Sequence, residues 1–221
     1  MKGDENNPTA IILRITFTEG TVTDNRNSAN KPENHNFQQR LRASLHKEGY
    51  QMDKIIRTDR LEIKPYQDTD QKAMIELLTN KIIKNSFMIP DFQTEEEAIN
   101  MFKKLQGYSN SDSHFERGIY LNYQLIGFVN DVEIDDSVIE LGYVIHPDFH
   151  NKGYATEMLK AVINELFCNG FNQIITGAFD DNSASIHVMH KCGMSKISKE
   201  NDISYHGVVH HCHYYAIFKE A

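Results

Sequence analysis

A chain of 221 residues, with 40% hydrophobic and 24% charged side chains, has the make-up of one soluble globular domain plus an appendage. Its net charge of −8 argues against a general nucleic-acid binder, which needs a basic surface to neutralise phosphates. No run approaches the roughly 18–20 apolar residues that span a bilayer, and the opening MKGDENNPTA lacks the basic start and apolar stretch of a signal peptide. The three cysteines, Cys168, Cys192 and Cys212, are odd in number and far apart. That pattern suits a reducing, cytoplasmic setting and not a disulfide framework.

Residues 1–51 hold 7 basic and 6 acidic side chains, whereas residues 52–221 hold 16 basic and 25 acidic. The first part is rich in Asn and carries the polar run Asp24 to Asn36. It reads as a flexible or non-native extension over 1–52, with Ala10 to Phe17 as a candidate strand and Phe37 to Lys47 as a candidate helix. The domain proper is expected over 53–221. Its acidic balance would attract cationic ligands such as amines, although net charge alone is weak evidence of a substrate.

From Ile55 the pattern is regular. Ile55 to Lys64 reads as a strand and Asp68 to Thr79 as a helix, with Ala73, Ile75, Leu77 and Leu78 as core contacts. Thr94 three residues before Glu97 is a capping-box signature. It opens a helix to about Gln106 that places Ala98, Met101, Phe102 and Leu105 on one face. Three strands follow, Phe115 to Leu121, Gln124 to Val132 and Val138 to Ile145, with hairpin turns at Asn122-Tyr123 and Asp135-Asp136-Ser137. Gly153 to Cys168 is a helix striped with Ala155, Met158, Leu159, Val162 and Leu166, ended by Asn169-Gly170. Gln173 to Ala178 is a strand, Asn182 to Lys191 a short helix, and strands Met194 to Lys199 and Val208 to Phe218 close the chain.

Strand 138–145, helix 153–168 and strand 173–178 make a βαβ unit. Such a crossover is right-handed and leaves its two strands parallel. Ligands of parallel units bind at the carboxyl ends of the strands. The turn His150 to Ala155 and the segment Asp180 to Ser185 both leave such ends, so topology brings them to one rim. The first turn opens a long helix, whose N-terminal N–H groups and positive dipole end favour an anion. Its spacing is neither that of a P-loop nor that of a dinucleotide fold. An ordinary helix N-terminus is the bland alternative.

The run E-L-G-Y-V-I-H-P-D-F-H-N-K-G-Y-A-T-E-M-L, with D-D-N-S-A-S-I-H-V-M-H-K-C-G-M further on, resembles the core motifs of the GNAT acetyltransferase superfamily. It is most similar to the branch of ribosomal-protein N-terminal acetyltransferases. The resemblance runs from about residue 55 to 219. It implies an α/β fold: a GNAT-like mixed, largely antiparallel sheet with a central βαβ unit and helices on both faces. It also implies acetyl-CoA as co-substrate and direct transfer of the acetyl group to a primary amine. The amine would be a protein N-terminus or a small molecule, and the enzyme a monomer or homodimer. A non-catalytic acyl-CoA-binding or regulatory module is the alternative. Two departures bear on the cofactor loop. His150 stands where Gln or Arg is usual, giving a titratable donor near the pyrophosphate. Asn151 stands where Gly is common, and Asn tolerates positive φ. In the second motif Met194 replaces the usual Phe.

The resemblance places the pantetheine arm along the backbone of Tyr143, Val144 and Ile145 as an added strand edge. It places the pyrophosphate at His150, Asn151, Lys152, Gly153, Tyr154 and Ala155, and gives Asn182 a cofactor contact. Three chemical needs follow: a neutral amine, a donor for the oxyanion, and a proton for the departing thiolate. Glu140, an ionisable residue inside an apolar strand, is the candidate base, since burial would raise its pKa. A structural or ion-paired carboxylate is the alternative. Ser185 is the candidate acid at the thiolate, with a helix-start residue satisfying backbone groups as its alternative. Many relatives place a tyrosine acid four residues beyond this serine. Here that position is Met189, which has no proton to give.

The cluster His206, His210, His211, Cys212 and His213 invites a metal reading, as imidazole and thiolate bind zinc. Strand alternation, however, pairs His211 with His213 and His210 with Cys212. Neither pair completes a tetrahedral set, so no metal is expected. Tyr205, His206 and Tyr214 are instead expected to line the acceptor pocket, with Phe87, Met88, Ile89 and Pro90 as its other wall.

Overall fold

A computed structural model describes residues 55–220. The extension expected over 1–52, with its candidate strand and helix, lies outside the described residues. Strands β1 (Ile56–Arg57) and β2 (Leu61–Lys64) lead into helices α1 (Gln71–Thr79), α2 (Lys81–Lys84) and α3 (Glu95–Ser109). Strands β3 (Glu116–Leu121), β4 (Gln124–Asp135) and β5 (Val138–Ile145) follow. The chain continues through α4 (Tyr154–Cys168), β6 (Gln173–Phe179), α5 (Ser183–Lys191), β7 (Ser195–Tyr205) and β8 (Val208–Phe218). The strands form one sheet in the order β1-β2-β3-β4-β5-β6-β8-β7. All neighbours are antiparallel except β5 and β6, so the sheet is mixed and largely antiparallel around a central βαβ unit.

Helices cover both faces. On one, the α4 stripe Met158, Leu159, Val162 and Leu166 packs with no residual exposure against Ile139, Leu141 and Ile174 of the sheet. Burying each such side chain contributes about 1.5–3 kcal/mol. On the other face, Met74, Leu77 and Leu78 of α1 and Met101, Phe102 and Leu105 of α3 pack on Tyr120 and Phe128. Thr94 caps α3, its Oγ1 accepting from Glu97 N–H at 3.2 Å. Glu97 reaches back one residue beyond the cap, to Gln93 N–H at 2.7 Å.

The Asn122-Tyr123 hairpin has both residues at positive φ, 48° and 66°, the conformation of a two-residue type I′ turn. Three sequence expectations need correction. The strand expected over 55–64 is folded into β1 and β2 by a turn at Thr58, whose Oγ1 accepts from Leu61 N–H at 2.9 Å. In α1 Met74 is buried with Leu77 and Leu78 and Ala73 packs against them as expected, whereas Ile75 does not join this core. Strand β7 runs six residues past Lys199, to Tyr205. Its outward face is polar and solvated, so the apolar alternation that marks a half-buried strand is missing there.

Where β5 meets β6 the geometry changes. Parallel pairing joins Val138–Leu141 to Gln173–Thr176 and stops. Beyond Leu141, β5 stays with β4 as far as Ile145–Gly127, while β6 stays with β8 as far as Phe179–Cys212. The β4–β5 register shifts between Asp131 and Glu133, opposite Glu140 and Leu141. A bulge adds local twist and bends its strand, and this one sits at the level where β5 leaves β6. The two strands therefore diverge, and β5 keeps an unpaired edge over Gly142–Ile145.

Gly127 holds the diverging half of β5 against β4. A Cβ at this position would lie 2.1 Å from the Val144 carbonyl oxygen, so backbone and not a mobile side chain would have to move. We expect Gly127→Ala to destabilise the fold by about 1–3 kcal/mol or more, the usual cost of overpacking. Urea unfolding measures it, and an unchanged midpoint would contradict the close approach.

Candidate active site

The divergence opens a cleft of about 420 Å³. One wall is the free edge of β5, where Tyr143, Val144 and Ile145 line the cleft. Its mouth is the turn into α4, contributing His150, Asn151, Gly153, Tyr154 and Ala155. The opposite wall is the start of α5, with Asn182 and Ser185. Of the catalytic and cofactor-binding candidates from the sequence, Lys152 and Glu140 are not on the cleft wall.

The mouth is built for an anion. Asn151 and Gly153 both take positive φ, 60° and 83°, which only Asn, Asp and Gly adopt at little cost. Gly153 is the N-cap residue of α4 and supplies no side-chain cap. The first N–H groups of α4 thus have no side-chain acceptor of the chain's own at the cap, and they open on the cleft. Lys152 turns its ammonium away, donating to the Asp148 carbonyl at 2.9 Å. His150 donates from Nε2 to the Ile145 carbonyl at 2.8 Å. A carbonyl only accepts, so this bond fixes the proton on Nε2 and spends that donor on backbone. Two basic side chains that sequence reasoning passed over, His187 and Lys191, line the cleft from α5, being spaced to share its inner face.

Arg60 braces the turn from behind. It donates from Nη1 to the Lys152 carbonyl at 3.0 Å, pairs with Glu157 at 2.6 Å and stacks 4.5 Å from the Tyr154 ring centroid. The Thr58 hydroxyl donates to the same carboxylate at 2.6 Å. Nothing local in the sequence joins Arg60 to a turn some ninety residues on, and its role was not legible there.

The opposite wall is set by a cap. Asn182 Oδ1 accepts from Ser185 N–H at 3.1 Å, starting α5 and holding Ser185 at the cleft. The Tyr143 hydroxyl donates to the Ser185 carbonyl at 3.4 Å, tying the two walls together. Burial, the main cause, holds that phenol above its ordinary value. Met189 is fully buried in the core. Cys192 and Cys212 lie in the hydrophobic core and not on this wall, and burial pushes their thiols up to about 11 and about 12.

Glu140 lies on the β5 face shared with Gly142, two residues before it. It is 5% exposed and accepts from Lys199 Nζ at 2.7 Å. Burial raises its pKa above the ordinary carboxylate value, and the Lys199 ammonium only partly offsets that rise. On the same face Asn130 stands opposite Gly142. Its Oδ1 is buried without a partner, and a Cβ at Gly142 would lie 3.1 Å from it and from the Phe87 ring.

Phe87 and Met88 line the cleft, whereas Ile89 and Pro90, expected beside them, do not. Tyr205, His206 and Tyr214 do not line the cleft, which corrects the sequence expectation. Tyr214 is 1% exposed, in the core cluster with Met88 and Cys212. Tyr205 instead secures the wall, its hydroxyl donating to the Ile89 carbonyl at 3.2 Å. His206 lies 3.4 Å from the Asp91 carboxylate, which Lys84 also holds.

Two parallel strands that part over a helix N-terminus without a side-chain cap set a free strand edge beside a helix start that favours an anion. The chain belongs to the acetyltransferase (GNAT) domain family, whose model matches residues 60–195, and it is an acetyltransferase. It is 26% identical over 147 residues to the uncharacterised N-acetyltransferase YoaA of Bacillus subtilis (strain 168), covering 64% of this chain and 83% of the relative. A GNAT-family acetyltransferase of Bacillus anthracis superposes with a TM-score of 0.65 at 25% identity, over 74% of this chain and 98% of that one. RimL, described as a ribosomal L7/L12 alpha-N-protein acetyltransferase and solved with coenzyme A, shares the fold with a TM-score of 0.65 at 19% identity, over 74% of this chain and 97% of that one. Among the described residues no helix is long and apolar enough to cross a membrane.

The brace at Arg60 has a pH signature. Burial raises the Glu157 pKa, but the bonds from Thr58 and Arg60 outweigh it and hold the carboxyl below its ordinary value. A depressed pKa contributes stability above the unfolded value of about 4.3, and that stability is lost as pH falls through the folded value. Arg60→Ala should therefore lower Tm most near neutrality, with the gap to the parent chain narrowing below about pH 4. A gap of constant size from neutrality to about pH 3 would show that the pair contributes nothing.

Proposed function

We propose that the chain transfers the acetyl group of acetyl-CoA directly to a primary amine, either a protein N-terminus or a small molecule. One observation carries this reading: β5 leaves β6 beyond Leu141–Thr176, and the uncapped N-terminus of α4 stands at the opening. An unpaired strand edge offers N–H and C=O groups to an extended amide chain. Uncapped helix N–H groups offer an anion site at its end. The residues present thus fit acetyl-CoA. Tyr143, Val144 and Ile145 would hold the pantetheine arm through their backbone. The turn from His150 to Ala155, Lys152 through its N–H alone, would hold the pyrophosphate with Asn182 alongside. When bound, the thioester supplies an activated acyl carbon and a thiolate leaving group.

The chain's own residues then manage protons. Ser185, held at the cleft by Asn182, donates to the departing sulfur. Glu140 accepts the proton of the amine through intervening water, since its carboxylate lies behind Gly142 and off the cleft wall. Its raised pKa makes it a stronger base than an ordinary carboxylate. Phe87 and Met88 pack against the acceptor's apolar neighbours. The protein N-terminus option also draws on the alpha-N-protein acetyltransferase RimL, a fold neighbour.

An acceptor screen tests the whole reading. Thiol release from acetyl-CoA is followed with peptides of differing N-terminal residue, polyamines and aminoglycosides, and release with none of them counts against amine transfer. Two variants separate binding from chemistry. Gly153→Glu puts charge and a strained φ into the anion turn and should abolish acetyl-CoA binding by calorimetry. Ser185→Ala should slow turnover while leaving that affinity intact, and full activity would make the serine structural.

The base is tested by its partner. The deprotonated form of Glu140 is the active one, so the rate falls on the acid side of its pKa. Lys199→Met removes the ammonium that lowers this pKa, so the acid limb of kcat/KM should move to higher pH. Glu140→Gln should erase that limb, and profiles unchanged in both variants would remove Glu140 as base.

A further inference from the structure

Strand β8 carries His211 and His213 on one face, because residues two apart on a strand project the same way. The flanking strands complete the setting. Strand β7 places Glu200 across from His213 and Asp202 across from His211. On the other side β6 runs into Asp180, whose Oδ1 is 3.1 Å from His213 Nε2. The Asp180 N–H donates to the His211 carbonyl at 3.0 Å. One ligand atom each from Asp180, His211 and His213 lies within 4.8 Å of the others. Tetrahedral ligands at the roughly 2.0–2.2 Å of a zinc bond stand about 3.4 Å apart. The Asp180 side chain is 52% exposed, which leaves its carboxylate room to turn.

Electrostatics and hydrogen bonding point the same way. Three carboxylates surround two imidazoles, and their ion-pair partners among the described residues are those imidazoles. Asp202 accepts from His211 Nδ1 at 2.6 Å. That bond turns the Nε2 lone pair toward Glu200 and His213, as a carboxylate does behind a metal-bound histidine. Glu200 Oε2 is 3.8 Å from His211 Nε2 and 3.6 Å from His213 Nδ1, beyond hydrogen-bond distance of either. His213 Nδ1 is buried with no hydrogen-bond partner. The groups converge and satisfy one another only in part: Asp202 holds His211 and Asp180 faces His213, while Glu200 stays beyond bonding distance of both rings.

We propose that Asp180, His211 and His213, the last through the Nε2 that faces Asp180, bind a divalent transition-metal cation, and that Asp202 orients His211 while Glu200 stands behind His213 at Nδ1. A mixed imidazole and carboxylate set suits zinc and its first-row neighbours, whereas magnesium and calcium take oxygen alone. None of these residues lines the acetyl-transfer cleft, so the cation is structural. Asp180 is the first residue of the turn that ends at Asn182, the cap holding Ser185. A cation there fastens that turn to β8. From the sequence the histidine pair looked incomplete because its carboxylate partners lie on or next to the two neighbouring strands.

The untagged full-length chain, stripped with EDTA, is titrated with Zn²⁺ by calorimetry and with Co²⁺ by visible absorption. The expected result is one saturable equivalent, a ligand-field band with Co²⁺ and a Tm raised by Zn²⁺. All three should be lost in the His211→Ala/His213→Ala double variant. Asp202→Asn, at an exposed position that folding tolerates, should retain the site with affinity weakened by roughly 10–100-fold. No saturable binding by the parent chain, or binding of equal strength by the double variant, would overturn the assignment. Acetyl-CoA binding is measured in parallel and is expected to survive in both variants, so loss of the metal site leaves the acetyl-transfer reading standing.

Discussion

The parting of β5 from β6 beyond Leu141–Thr176 is the constraint on which the rest of the site depends. Strand backbone without a partner is normally a cost, because its N–H and C=O groups lose hydrogen bonds. Here each strand is secured on its far side, β5 by β4 and β6 by β8. The gap therefore neither closes nor frays. The shift in β4 opposite Glu140 and Leu141 sets the level at which the strands separate. Close approach at Gly127 keeps the departing half of β5 tight against its remaining neighbour.

Two kinds of support surround this gap. The end at the turn into α4 is held by charge and hydrogen bonds: Arg60 on the Lys152 carbonyl and Glu157, and Asn182 under Ser185. The deeper end, around Gly142, is held by packing of Phe87 and Met88 and by the pair of buried Glu140 with partly exposed Lys199. Burial raises the basicity of this carboxylate and the ammonium that reaches it lowers it again in part.

Much of this was legible in the sequence because the signals were local. Thr94 and the apolar positions after it gave α3, Asn122-Tyr123 gave a tight hairpin, and the stripe from Met158 to Leu166 gave α4. The convergence of the 150–155 and 180–185 turns followed from βαβ handedness alone. What escaped was non-local or polar. Arg60 acts on a turn far along the chain. Strand β7 alternates exposed charges over 198–204, which reads as loop. Asn130 and Lys199 matter only through the residues across the sheet from them, and register is not written in either segment. Thr58 breaks the first strand through a hydroxyl bond that no periodicity announces.

The hydroxyl of Tyr205 grips the backbone at Ile89, so the Phe87–Ile89 side of the cleft is fastened to the hairpin at the sheet's outer margin. The turn into α4 and the start of α5 are fastened elsewhere, through Arg60 and Asn182. The two sides of the cleft thus rest on separate anchors. Under the function proposed above, changes at the hairpin tip would reshape what the enzyme accepts while leaving its hold on the acyl donor untouched, which gives the scaffold room to acquire new acceptors by drift at its periphery.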